Sequence, residues 1–300
     1  MDRLEAMAIL LQAVETGSLS AAGRRLGMPL ATVSRKVSDL EAHLKTRLLL
    51  RGGRKLQLTD AGRSYVAACR RIMEDVVEAE RAAAGEYSAP QGELVVTVPV
   101  ALSRMQLLPI ATEFLRAYPD VQLRLVQSDR VVNLSEEHVD LAVRIGLLPD
   151  SSLIATRVGV TRRVLCASPA YLAARGQPRT LEELEQHDCI AFEPMMYGSR
   201  WVFGAEGSAR SVEIRMKLAV DTAEAAVEGA AAGLGIARVL CYQAAEAVAA
   251  GRLQWVLPEF DPPASPISLV YPSQRLLPLK LRAFLDFAAP RLRMKLLQEC

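Results

Sequence analysis

Nowhere in its 300 residues does the chain hold a run of about 20 apolar residues, so no segment is predicted to cross a bilayer as a helix. Histidine is scarce: His43, His138 and His187 stand far apart without ligand spacing, and no metal site is expected. The five cysteines (Cys69, Cys166, Cys189, Cys241, Cys300) are scattered and none forms a C-x-x-C pair. That pattern points to reduced thiols filling cores in a cytoplasm. Enzyme signatures are missing too, with no G-x-S-x-G elbow, P-loop or H-E-x-x-H. The GLG at 233–235 lacks the third glycine of a dinucleotide fingerprint and precedes a strand pattern. The first residues, MDRLEAMAIL, carry acid early and lack the basic-then-apolar order of a secretion signal. The expectation is a cytoplasmic protein that is not an enzyme and carries no cofactor.

What is present is ordinary in bulk and uneven in detail. Hydrophobic residues make up 51% and charged residues 23%, as in a soluble globular chain, and the length suits about two domains. The net charge of +2 hides an asymmetry. Residues 1–65 hold 11 Lys/Arg against 6 Asp/Glu, whereas residues 66–300 hold 25 against 28. A basic head on a mildly acidic body suits a polyanionic partner. It also fits a chance fluctuation of surface charge, and charge alone leaves both readings open.

Patterning decides between them. Met1 to Thr16 reads as a helix, with Leu4, Met7, Ala8, Leu11 and Val14 at spacings of three and four, ended by Gly17. Ser18 stands as N-cap before Leu19 to Leu26, and Gly27 stops that second helix. Pro29 opens a third helix to about Lys45, its Val33, Val37, Leu40 and Leu44 forming a buried stripe. The opposite face carries Thr32, Arg35, Lys36 and Asp39. Leu48 to Leu58 alternates around Gly52-Gly53 as a short hairpin. Helix, turn, helix and basic hairpin in that order predict a winged helix-turn-helix, which sets one helix in the major groove of DNA. Arg35, Lys36, Arg51, Arg54 and Lys55 would supply cations to phosphate, with Ser18, Ser20 and Ser34 as neutral donors. Any one of these arginines alone could instead be solvated surface, a reading that fits the group together far less well.

Thr59 starts a long helix to about Tyr87. Tyr65, Cys69, Ile72, Val76, Ala79 and Ala83 follow at alternating spacings of four and three, a heptad seam of about three repeats. Packing on its own domain is the alternative. A head of about 60 residues has little surface to cover such a length, which favours a dimer seam.

SAPQG at 88–92 breaks the pattern, and beyond it strands and helices alternate. ELVVTV (93–98), VQLRLV (121–126) and DLAVRIG (140–146) form a first set. VLCAS near Arg163, CIAF (189–192), VEIRMKLAV (212–220) and GIARVL (235–240) form a second, and PISLVYPS (266–273) returns before a last helix near Pro278 to Leu292. The rhythm predicts an α/β body of two lobes with largely parallel sheets. The boundaries read as 1–58 for the head, 59–88 for the linker helix and 92–300 for the body, its lobes being 92–162 plus 266–295, and 163–265. A ligand would lie at the strand ends between the lobes. Candidate residues there are Val100 and Ser103 after the first strand, Ser128 and Asp129 after the second, Arg144, Phe192 and Thr222. Ser103 and Asp221 could instead be helix caps, Arg144 a carboxylate's partner and Phe192 core. Arg238 within GIARVL could bind an acidic ligand or an internal carboxylate.

The whole chain resembles the LysR-type transcriptional regulators. The specific match is LEAMAILLQAVETGSLSAAGRRL (4–26), TVSRKVSDLEAHL (32–44), Arg51 and LTDAG (58–62). Pro109, Phe114, Tyr118-Pro119, DLAVRIG and GLGIA (233–237) sit where the family's effector domain has them, and the run 140–153 looks like the CrgA-like branch. The resemblance implies a homodimer through the linker helix, commonly a tetramer, on double-stranded promoter DNA, with RNA polymerase a further candidate partner and no membrane. It also implies a periplasmic-binding-protein-like effector domain whose small ligand, an organic acid or an aromatic being the candidates, shifts DNA bending and transcription. Ser34 and Arg35 match the family's recognition-helix positions, and Arg51 and Arg54 its wing. Pro29 replaces a frequent capping Ser, Leu30 and Ala31 replace polar base-reading residues, and Leu49 a usual Phe. Readout would then rest on Thr32 and on apolar contact with thymine methyls.

Overall fold

A computed structural model describes residues 2–50, 56–83, 89–130, 133–134, 137–148, 152–192, 200–204, 210–273 and 277–298. The chain forms two units, Met1–Ala89 and Pro90–Cys300. Among the described residues no helix is long and apolar enough to cross a membrane.

The first unit holds α1 (Arg3–Thr16), α2 (Leu19–Leu26), α3 (Leu30–Leu44), the strands β1 (Leu49–Leu50) and β2 (Gln57–Leu58), and α4 (Asp60–Ala83). Asp2 caps α1 by accepting from the Leu4 and Glu5 amides, and Ser18 caps α2 by accepting from Ala21 N. The buried face of α1 is Ala6, Ile9, Leu10 and Ala13, not the expected stripe through Leu4 and Leu11. This helix is apolar nearly all round, so periodicity alone admits several faces. Those four residues meet Ala22, Val33, Val37, Leu40, Leu48 and Val66 in one core. Pro29 gives α3 no side-chain cap, and the Thr32 and Val33 amides donate to its carbonyl instead. β1 and β2 pair antiparallel, Leu49 opposite Leu58. Gly62 lets α4 start hard against this hairpin, because a Cβ there would stand 2.1 Å from the Leu48 carbonyl oxygen. The wing tip, residues 51–55, lies outside the described residues.

Two five-stranded sheets build the second unit. The first has the order β4 (Val121–Gln127), β3 (Gly92–Val98), β5 (Leu141–Ile145), β14 (Ser265–Pro272), β6 (Leu153–Thr161). The second has the order β11 (Arg215–Val220), β8 (Asp188–Phe192), β12 (Ile236–Leu240), β7 (Arg163–Ala167), β13 (Gln254–Val256). Each sheet is mixed, three adjacent strands being parallel and the other two pairings antiparallel. This corrects the expected largely parallel sheets, because β14 and β7 enter from crossovers rather than from βαβ units. The central strand β3 is buried on both sides, Leu94, Val96 and Val98 facing one core and Val95 another.

In the first lobe α5 (Val100–Leu102) runs through a π-turn, Ser103–Leu107, into α6 (Leu108–Ala117), and α10 (Leu279–Gln298) packs beside them. Phe114, Phe284 and Phe287 meet edge to face there. The second lobe carries α7 (Pro169–Arg175), α8 (Ala223–Ala231), α9 (Cys241–Ala249) and a hairpin of β9 (Arg200–Phe203) with β10 (Arg210–Glu213). The chain passes between sheets twice, at Arg162 and on the return to β14. Arg162 on one crossover pairs with Asp261 on the other at 3.3 Å. Cys69, Cys166 and Cys189 are buried free thiols, whereas Cys241 is disulfide-bonded, which departs from the expected set of reduced thiols.

Candidate functional site

On the first unit the outward strip of α3 is formed by Leu30, Ala31, Arg35, Ser38 and Ala42, all exposed, with Ser34 half-buried among them. Because Val33, Val37 and Leu40 turn inward, the fold itself leaves this strip without a covering element in its own unit. Arg35 has no ion-pair partner among the described residues, and neither have Arg24, Arg25 and Arg47. The last three were not singled out from sequence; two close α2 and one precedes the hairpin. Lys36 differs from its sequence reading, for its ammonium pairs with Glu5 of α1 and it is a tether between helices rather than a free cation. Ser18 is the α2 cap, with Ser20 Oγ at 3.4 Å from its hydroxyl. Thr32 is half-buried on the flank of the strip. Arg51 and Arg54 lie outside the described residues.

Glu41 of α3 fixes where the hairpin leaves the helix. Its Oε1 accepts from the Leu48 amide at 2.7 Å and from the Leu49 amide at 3.0 Å. Thr59 closes the other end, its hydroxyl donating to the Arg47 carbonyl at 2.7 Å while accepting from Gly62 N at 2.9 Å. A sequence search for charge does not find Glu41, because its role is to receive two amides and not to meet a cation.

The proposed seam of α4 divides. Cys69 is fully buried within its own unit and is not free to form a seam with another chain, whereas Tyr65 packs against the unit's core and stays partly exposed. α4 packs on α1 over this stretch, and burial raises the Tyr65 phenol to about 12 and the Cys69 thiol above its usual range. Further along, Ile72 and Val77 are 39% and 38% exposed and Val76 is half-buried, which leaves an apolar strip. The first turns of the heptad therefore serve the head itself, and only the later ones lie open.

In the second unit a cavity of about 180 Å³ lies between the two sheets. Ser128, Arg144 and Phe192 line it, together with Asp129 and with Arg130, Arg163, Tyr242 and Gln243, which sequence reading did not single out. Tyr242 and Gln243 belong to α9, a helix hidden from cap-based reading because its N-cap is Leu240. Gln243 Oε1, at the third position of the helix, accepts from the Leu240 amide at 2.8 Å, the half of a capping box that needs no Ser or Asp at the N-cap.

Three expected lining residues are not among those that line the cavity. Val100 donates its amide to Asp129 Oδ1 at 3.2 Å, so an internal carboxylate meets that helix end. Burial raises the Asp129 carboxyl, and Glu224 raises it further against the Val100 hydrogen bond. Ser103 is fully buried and accepts from Gln127 Nε2 at 3.2 Å. Thr222 is the N-cap of α8 and accepts from Ala225 N at 3.3 Å. Beside them Arg104 of the first lobe pairs with Glu224 of the second at 3.1 Å.

Arg238 has no ion-pair partner among the described residues. It is buried, donates to the Val202 carbonyl at 2.5 Å and lies 4.3 Å over the Phe203 ring. It thus pins the β9–β10 hairpin onto β12, and burial lowers its guanidinium to about 10.

Two family models match the chain. The bacterial regulatory helix-turn-helix protein model of the lysR family covers residues 4–63, and the LysR substrate binding domain model covers residues 88–293. The chain is 35% identical over 290 residues to the transcriptional regulator CrgA of Neisseria meningitidis, covering 96% of each chain. It is 34% identical over 289 residues to a transcriptional repressor of Pseudomonas aeruginosa, covering 96% of this chain and 91% of that one. The solved structure of CrgA superposes with a TM-score of 0.61 at 33% identity, over 96% of this chain and 98% of that chain.

Proposed function

The chain belongs to the LysR family of transcriptional regulators, with its helix-turn-helix and its effector-binding domain both matched, and on that premise we propose that it binds promoter DNA through the outward strip of α3 under control of a small ligand held between the two sheets. Arg35 grips phosphate and groove edge, Ser34 and Ser38 add neutral donors, and Leu30 and Ala31 meet thymine methyls. Arg24, Arg25 and Arg47 extend the positive surface, and the hairpin, held by Glu41, approaches the neighbouring minor groove. Two chains join along the open part of α4, around Ile72 and Val76, and two such pairs form a tetramer on chromosomal DNA in the cytoplasm. Ligand binding changes the angle between the lobes, and that angle sets the bend imposed on the promoter.

The observation that carries this reading is the α3 strip, exposed and bearing Arg35 without an ion-pair partner among the described residues, on a helix whose other face packs into its own core. Fluorescence anisotropy of the full-length protein on a fragment from upstream of its own gene, against random duplex, tests it. Binding should weaken with salt by about 0.9 log units per log salt for each phosphate neutralised. Arg35→Ala should weaken specific binding by about 1–3 kcal/mol. Equal affinity for both duplexes, or an unchanged Arg35→Ala, refutes the assignment.

A further inference from the structure

On one side the two lobes are joined by a single residue, since Arg162 alone separates β6 from β7. Cys241, the first residue of α9, is clamped onto it. Its amide donates to the Arg162 carbonyl at 2.8 Å, and its Sγ stands 3.4 Å from both the Arg162 amide and the Thr161 hydroxyl. Cys241 is 1% exposed and Thr161 fully buried. Arg162 also reaches Asp261 on the other crossover. One sulfur therefore sits where the two lobes pivot against each other.

That sulfur is not a free thiol. Cys241 is disulfide-bonded, whereas Cys69, Cys166 and Cys189 are free. The chain holds five cysteines, which leaves Cys300 as the partner. Cys300 itself lies outside the described residues, but the helix leading to it does not. α10 runs along β6 toward the crossover. Arg293 Nη2 donates to the Arg157 carbonyl at 3.4 Å, and Leu296 presses on Gly159, where a Cβ would stand 2.6 Å from its side chain. Thr161 is two strand residues further on, about 7 Å. The four residues from Leu296 to Cys300 can span up to about 13 Å, ample for that distance. α10 packs on α6 and β6 of the first lobe, and Cys241 opens a helix of the second.

We propose that Cys241 and Cys300 form a reversible redox staple, oxidation of which ties the end of α10 to the start of α9 and fixes the lobes against each other at the Arg162 crossover. Under reducing conditions both stand as thiols and the crossover is free to bend. The oxidant is a hydroperoxide. Because Cys241 is buried, the terminal cysteine reacts first: its thiolate takes the outer peroxide oxygen, giving a sulfenic acid and releasing an alcohol, or water from hydrogen peroxide. The Cys241 sulfur then attacks the sulfenic sulfur, the S–S bond forms and water leaves. A dithiol reductant returns both thiols by exchange. In the bonded state the Cys241 sulfur can only accept, so the Arg162 amide and the Thr161 hydroxyl both donate to it.

The test uses the full-length protein, reduced with dithiothreitol, freed of it, and treated with one equivalent of hydrogen peroxide. Non-reducing peptide mapping should find the Cys241 and Cys300 peptides joined within one chain, and thiol titration in denaturant should fall from five to three. The bond closes a loop of about 60 residues, so the second unit should melt at least about 4 °C above its reduced form. Tryptophan fluorescence reports this, because Trp201 and Trp255 lie in that unit. Amide exchange at Arg162 should slow on oxidation, and dithiothreitol should reverse every change. Cys300→Ser alters only the last residue and should melt like the reduced parent with or without peroxide. Five thiols surviving peroxide, or a bond joining Cys300 of two chains, overturns the pairing. A cross-linked protein with unchanged melting and exchange overturns the staple, as does a Cys300→Ser variant that keeps the shift. A bond that dithiothreitol cannot open in the folded protein overturns the switch.

Discussion

Glu41→Ala tests whether the winged head depends on a single carboxylate to aim its hairpin. The substitution removes an acceptor shared by two backbone amides, Leu48 at 2.7 Å and Leu49 at 3.0 Å. Hydrogen bonds to a charged partner contribute about 1.5–3 kcal/mol each, and the two share one oxygen, so they do not add fully. Leu48 is buried, which leaves its amide without water to replace the lost partner. The expected loss is about 2–4 kcal/mol. For a unit of 89 residues each kcal/mol lowers Tm by about 4–8 °C, so the head should melt at least about 8 °C earlier. Far-ultraviolet circular dichroism of the full chain is the suitable probe, because both tryptophans, Trp201 and Trp255, lie in the other unit. Amide exchange should quicken at Leu48 and Leu49 before it does in α1. Glu41→Gln keeps a neutral acceptor and should lose roughly half as much. A Glu41→Ala protein that melts with the parent and shows unchanged exchange at these amides refutes the reasoning.

Gly62→Ala should destabilise the head by about 3 kcal/mol or more, since its Cβ would overlap the Leu48 carbonyl backbone; chemical denaturation checks it. Ile72→Asp should convert dimer to monomer in sedimentation velocity without lowering the melting temperature, because Ile72 is exposed within its own unit. Unchanged association would remove the open part of α4 from the interface. Asp188→Asn probes the buried carboxylate beneath Arg175, Arg215 and Lys217, each 3.3 Å away. Burial pushes that carboxyl up, but Lys217, Arg215 and Arg175 together hold it below the usual carboxylate range. A lowered folded pKa contributes stability that is present above the unfolded value near 4 and lost as pH falls through the folded value. The variant should therefore be weaker than the parent by about 1–3 kcal/mol at pH 7, and the gap should close in urea melts below about pH 4.

Much of this protein was legible in its residues because local rules acted unopposed. The caps at Asp2 and Ser18, the stops at Gly17 and Gly27, and the inward Val33, Val37 and Leu40 each follow from neighbours within a few positions. Continuous apolar runs such as ELVVTV and CIAF marked the central strands, whose two faces are both covered. Reading failed where the pattern was degenerate or the signal remote. The face of α1 was ambiguous because every residue of MAILL is apolar. VEIRMKLAV breaks at Ile214 into β10 and β11, which join different sheets, and no local feature separates them. β6 carries Arg157 and Gly159 without clean alternation. The glycine sits where Leu296 presses closest, and a Cβ there would stand 2.6 Å from the Leu296 side chain.

Sequence alone determined the family, the order of helix, turn, helix and hairpin, and the alternation that makes two α/β lobes, since each depends on spacings of two to four residues along one chain. Tertiary structure alone decided which charges are spent and which stay open. Lys36 is taken by Glu5, Cys69 by its own core and the Val100 amide by Asp129, while Arg35, Arg130 and Arg163 keep no ionic partner among the described residues. Those pairings join residues up to 31 positions apart, and a side chain's availability is set by what folding brings beside it.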